Sequence, residues 1–249
     1  MSGKGKTIVQ NITEIFEKDD LDIPITIFKV PKSLNQANPE AYEPKLVGLG
    51  AIHHLRPKLQ HMQMYKVMEA KKIHKGFQGI AFSDLIEILK DLVVSSVRAS
   101  YNMYLEMADD VLTYIMALDG LFLFDILCCY GIEKQHLLSS KILNQMVGSN
   151  GKRLTQETIL REAMMLENQI PILVLRTILI IESPEFEMFS EYLPKILVGF
   201  CQYVSPFDLM TDYYPPYKTL NHAHLLDLLY HLIIVPNDSL GNNIEQHNT

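Results

Sequence analysis

Residues 164–175 read MMLENQIPILVL, three consecutive polar side chains (Glu167, Asn168, Gln169) inside an apolar run, with Pro171 two residues on. Pro171 has no backbone N–H and disfavours helical geometry at Ile170. A break there frees carbonyls before it and N–H groups after it, and Asn168 and Gln169 are suited to satisfying both. The stretch predicts two apolar helical segments meeting at a buried polar joint.

The segments on either side carry helical spacing. Met62 to about His74 reads as a helix. Ser83 is the expected N-cap of the next, whose stripe is Leu85, Ile86, Leu89, Leu92, Val93 and Val97. A third begins near Asp109 and Asp110, with Val111, Ile115, Phe122 and Ile126 as its stripe and Gly131 as its stop. "GSNGKR" (148–153) reads as a loop, and Thr155 as the cap of a helix carrying Ile159, Leu160 and Ala163. Ser183-Pro184-Glu185 opens a stripe of Phe186, Phe189, Leu193, Ile196, Leu197 and Phe200, which Pro194 should kink or divide. "HAHLLDLLYHLII" (222–234) is the last helix. Residues 22–61 are Pro-rich and irregular, with "IFKVP" a short edge strand at most. The fold class expected is all-α, a multi-helix, bundle-like domain over 22–236 with an irregular, extended N-terminal arm. Residues 1–21 are read as a leader and short helix, and 237–249 as a disordered polar tail.

Two acids fall on apolar stripes. Asp119 lies four residues after Ile115, and Glu167 four after Ala163, so both should point inward. A buried carboxylate needs a partner or takes up a proton. The expected structural polar network is Arg98, Asp119, Glu167, Asn168 and Gln169. A catalytic reading would make Asp119 and Glu167 an acid–base pair. The structural reading, supported by Pro171, makes them ties between helices, and no pocket is evident for the former.

Composition narrows the function classes. The chain has 249 residues, 48% of them hydrophobic, and a net charge of −7, which is the wrong sign for nonspecific nucleic-acid binding or for docking on an acidic membrane. Cys128, Cys129 and Cys201 do not suggest a disulfide framework and are read as small core residues in a reducing compartment. The N-terminus is no secretory signal. "ALDGLFLFDILCCYGI" carries two aspartates, so no uninterrupted apolar run reaches the roughly 18 residues of a membrane span. No transmembrane segment is therefore expected. The chain is placed in the cytoplasm, reaching the plasma membrane only peripherally, through a partner.

No GxxxxGK[ST], GxGxxG or GxSxG is present. His53-His54 sit in the arm, and His224, Asp227 and His231 share one face of the last helix, a donor set zinc accepts. The spacing matches no zinc signature, and His222, two residues from His224, falls off that face. Surface or capping roles are the simpler account. No metal and no cofactor is expected, and His53, His54, His224, Asp227 and His231 stand only as the fallback set. Tyr213, Tyr214 and Tyr217, in a Pro- and Tyr-rich loop, are the candidate interaction surface, because tyrosine suits a half-buried anchor. The plainer alternative is that they pack the loop onto the core.

Five ordered pieces carry a resemblance: "IFKVPKSLNQANPEAYEPKLVGLGAIHH" (27–54), "VRASY" (97–101), "MALDGLFLFDIL" (116–127), "MMLENQIPILVL" (164–175) and "HLLDLL" (224–229). Together they resemble the plant domain-of-unknown-function family numbered 247, over about 25–235. That resemblance implies a helical domain and, much further on, a C-terminal transmembrane helix. Some members are linked to self-incompatibility in grasses as candidate pollen-side determinants. It therefore implies recognition or signalling through protein partners, full-length family members among them, rather than catalysis, and it supplies no catalytic residues. The chain departs from the family's "SIGPxHHG" in reading "GLGAIHHL" (48–55), and it ends soon after "HLLDLL", as a shortened member would. Three functional expectations follow. The first is a non-enzymatic recognition protein. The second is a metal-dependent hydrolase using histidines and buried carboxylates. The third is a shortened relative that competes for partners.

Overall fold

The computed structural model describes residues 25–54, 56–77, 79–131, 148–182, 188–209, 211 and 214–241. Among them the architecture is all-helical. The arm contributes α1 (Lys32–Ala37), α2 (Pro39–Tyr42) and α3 (Gly50–His53), and a 3-10 turn (Pro57–Met62) leads into α4 (Gln63–Phe77). The body is α4, α5 (Phe82–Ser100), α6 (Asp109–Gly131), α7 (Gly148–Ala163), α8 (Ile172–Glu182), α9 (Leu193–Val204), α10 (Pro216–Thr219) and α11 (Leu225–Gly241). "IFKVP" forms no strand: Ile27 makes a single bridge to Tyr101.

Helix α6 is the axis of the molecule. It packs against α3, α4, α5, α8 and α9, which surround it on most sides. Its length and composition would let it cross a membrane, yet 78% of its most apolar window is buried inside the protein. Leu112, Ala117, Leu121 and Leu127 are fully enclosed. Enclosure on nearly every face explains why so little polar residue pattern survives along it. At its end, Gly131 meets Gly199 of α9, and a Cβ on Gly199 would run into the Gly131 carbonyl. Only glycine allows the two backbones to touch there.

Several sequence expectations are corrected by the packing. Val111 and Leu92 are exposed, whereas their stripe-mates Ile115, Phe122, Ile126, Leu89 and Val93 are buried. Helix α5 begins at Phe82 without a side-chain cap, and Ser83 donates to Asp84 instead. Helix α7 begins at Gly148, so "GSNGKR" is helical backbone and Thr155 is not its start. Pro194 does divide its stripe: a π-helical turn (Met188–Tyr192) precedes it, and Pro194 sits in the first turn of α9, where its missing N–H is harmless. The Ser183-Pro184-Glu185 start, Tyr213, the 1–21 leader and residues 242–249 lie outside the described residues. Helix α11 runs to Gly241, past the expected domain end at 236.

Candidate functional site

The joint between α7 and α8 builds one of two polar sites. Helix α7 stops at Ala163, and its last carbonyls are met as the proline break requires. Asn168 Nδ2 donates to the Glu162 carbonyl (2.9 Å), and Gln169 Nε2 donates to those of Ala163 (3.0 Å) and Met165 (2.7 Å). Asn168 also reaches the arm. Leu49 N–H donates to Asn168 Oδ1 (2.6 Å), and Asn168 Nδ2 also donates to the Val47 carbonyl. Val30 N–H donates to Glu167 Oε1 (2.6 Å). Glu162, which sequence reading missed, accepts the N–H groups of Lys45, Leu46 and Val47 at 2.7–3.2 Å. Leu226 N–H, at the start of α11, donates to Gln169 Oε1. The joint thus clamps the arm to the body through backbone donors that would otherwise be orphaned.

Asp119 is fully buried and accepts from Gly50 N–H at 3.0 Å. Its cationic partner is Lys66, also buried, whose Nζ donates both to Asp119 and to the Gly48 carbonyl (2.7 Å). Burial pushes the Asp119 carboxyl above the ordinary carboxylate range, against the pull of the Lys66 ammonium. Gly50 has φ +67°, and a Cβ there would lie 2.7 Å from both the Gln169 carbonyl oxygen and the Tyr101 hydroxyl. Glycine is what lets the arm approach so closely.

Arg98 does not belong to this network. It is held by Asp109 (2.6 Å) and by the carbonyls of Leu105 (2.9 Å) and Met107 (2.8 Å), closing the α5–α6 connection. Adjacency to Val97 in sequence turns a side chain about 100° away on a helix. The partners of the buried acids come instead from α4. Lys66 meets Asp119, Lys72 reaches Asp125 (3.7 Å), and His74 meets Glu182 (2.5 Å). Lys66 and Lys72 have the same spacing as Asp119 and Asp125, so α4 and α6 run in the same direction. That matched spacing was the available signal in the sequence. Burial lifts Asp125 to about 6.

The histidines divide sharply. His53 is enclosed, with Nε2 3.3 Å from Glu167 Oε2, and neither ring nitrogen is hydrogen-bonded. Burial, with Arg56 nearby, pulls the imidazole down to about 3, so it is neutral. His54 is also pulled down by burial. His224 caps α11: Asp227 N–H donates to its Nδ1 (3.2 Å), and its Nε2 faces the Thr26 carbonyl (3.1 Å). A histidine cap is unusual, because serine, threonine, aspartate and asparagine lead there.

The second polar site lies at the start of α11. Asp227 faces His222 Nδ1 through Oδ2 (3.0 Å) and His231 Nδ1 through Oδ1 (3.2 Å). His222 enters because it precedes the helix and folds back over it, and helical periodicity does not apply to it. Tyr214 hydrogen-bonds His222 Nε2, so this tyrosine packs its loop onto α11. Tyr217 is 68% exposed. Tyr203, Phe207 and Tyr230 are exposed as well, on and just beyond α9 and on α11, which pack against each other; α10, carrying Tyr217, also packs on α9. The cysteines offer little chemistry. Cys129 and Cys201 are buried, and burial pushes Cys128 up to about 11 and Cys201 to about 12, away from the reactive thiolate.

Comparison with known proteins gives a family. A family described as "plant protein of unknown function", DUF247, matches residues 27–248, and the chain belongs to it. A putative UPF0481 protein of Arabidopsis thaliana is 34% identical over 223 residues, covering 89% of this chain and 40% of the relative. Another UPF0481 protein of Arabidopsis thaliana is 28% identical over 224 residues, covering 86% and 42%. The chain therefore spans about two fifths of the length of these relatives. No solved structure matches.

Proposed function

We propose that this member of the plant DUF247 family is a non-enzymatic recognition module that acts in signalling by binding a protein partner. The observation that carries this reading is the exposure of Tyr203, Phe207, Tyr217 and Tyr230, which lie on or next to α9, α10 and α11, with α10 and α11 both packed on α9. Large aromatics left in water cost solvation and suit the buried centre of an interface. The buried polar groups support the same reading from the other side. Asp119 and Glu167 are enclosed and hold arm backbone, so neither is placed to exchange protons with a substrate. A cytoplasmic setting, with any membrane contact made through the partner, belongs to this proposal.

The test compares purified complexes from plant tissue, using the tagged chain at native expression. Tyr217→Ala combined with Phe207→Ala should lose a specific co-purifying protein while keeping the wild-type melting temperature. Leu92→Ser, on an exposed site of α5, should keep that protein. An unchanged set of partners in the aromatic double variant would overturn the assignment of this surface. Turnover of a substrate by the pure chain would overturn the non-enzymatic reading.

A further inference from the structure

We propose that His222, Asp227 and His231 bind one divalent transition-metal ion of the zinc class, which ties the Tyr214 loop to the first turns of α11. This goes beyond the recognition reading and does not rest on it. One donor atom from each of the three residues lies within 4.8 Å of the others. Two imidazoles and a carboxylate are a donor set that zinc, cobalt and nickel accept and that magnesium and calcium do not favour.

The supporting contacts are those of a prepared ligand set. The Asp227 carboxylate is oriented by Ala223 N–H, which donates to Oδ2 at 2.9 Å. His222 is fixed at its far nitrogen by Tyr214, the kind of outer contact that sets the tautomer and aim of a ligating imidazole. Rings of His222 and His231 lie 4.6 Å apart between centroids. Asp227 and His231 are four residues apart on one helix face, and His222 closes the third side.

Some rearrangement is needed. Tetrahedral zinc with bonds of about 2.0–2.1 Å holds its ligand atoms roughly 3.4 Å apart, closer than the present spread. His231 supplies that movement. Its side chain is 44% exposed, and its Nδ1 now faces the Asp227 backbone carbonyl at 2.9 Å, a contact that a turn of the ring releases. On the solvent side, the exposure of His231 and Asp227 leaves the fourth position to water. The other histidines stay out of the site: His224 is occupied as the helix cap, and His53 is enclosed beside Glu167.

The experiment uses the tag-free full chain, stripped with a chelator and titrated with Zn²⁺ by calorimetry and with Co²⁺ by visible absorption. The expected result is one ion per chain, a tetrahedral cobalt spectrum, and a rise in melting temperature on adding Zn²⁺. His231→Gln, at a half-exposed ring that leaves the helix cap intact, should weaken binding at least tenfold, and so should His222→Gln. His61→Gln, at an exposed histidine elsewhere, should not. No stoichiometric binding, or equal binding by the wild type, His222→Gln and His231→Gln, would overturn the site. Either result leaves the aromatic surface to be judged by its own partner test.

Discussion

The two polar sites use similar side chains in opposite ways. At the arm clamp, Glu162, Glu167, Asn168 and Gln169 are all buried and mostly face backbone N–H and carbonyl groups. At the start of α11, His222, Asp227 and His231 are half-buried and face mainly each other. Backbone groups cannot leave a fold, so a side chain that satisfies them is committed to architecture. Side chains that face mainly one another, with only the Ala223 N–H and the Asp227 carbonyl as backbone partners, keep more freedom to exchange partners for a ligand. Burial of polar residues alone therefore does not mark a functional site; the identity of their partners does.

The largest effect expected is at the clamp's ionic centre. Lys66→Met leaves Asp119 buried without its cation and should destabilise by about 3–5 kcal/mol in denaturant unfolding. Adding Asp119→Leu should recover much of that loss, and a double variant no better than the single would show that the pair does not act as one unit. Glu162→Ala removes the acceptor of three backbone N–H groups and should cost at least about 2 kcal/mol. Amide exchange at residues 45–47 should rise well before exchange in α6. Uniform acceleration would mean that the arm and body open together.

Acidification sharpens the contrast further. The folded state keeps His53 neutral down to about 3, whereas the unfolded chain protonates it near 6.5. Between those values the unfolded state binds more protons, so this contribution to stability is full above 6.5 and is lost as pH falls toward 3. Across that window the loss amounts to a few kcal/mol, on the order of 1.4 kcal/mol per pH unit at most. His53→Phe should flatten the profile over that range, and an unchanged profile would remove His53 as its cause. Asp227 has the same sign lower down, present above about 4 and fading toward 2, but it is largely solvent-screened. Asp227→Asn should accordingly shift metal-free stability by less than about 1 kcal/mol, the smallest effect of the series. A loss matching that of Glu162→Ala would make the α11 cluster a second clamp rather than an open site.

Much of this could be read directly from residue order. Pro171 and the polar triplet announced a helix break, and the amides of Asn168 and Gln169 do meet the carbonyls that break exposes. Inward placement of Asp119 followed from its position after Ile115. What periodicity could not supply was the partner. Arg98 was the nearest basic residue to an apolar stripe, yet Lys66 of a helix rich in lysine fills the role, because α4 lies directly against α6. Glu162 was unreadable because its acceptors serve a segment more than a hundred residues earlier.

The sequence by itself determined the family, the all-helical class and the polar joint at Pro171, since those depend on local backbone preference and on apolar spacing along a single segment. Tertiary structure alone decided which cation meets which acid, that His222 and not His224 joins Asp227 and His231, and which aromatics remain in water. Those outcomes depend on how separate segments approach one another, a distance that no spacing within one segment encodes.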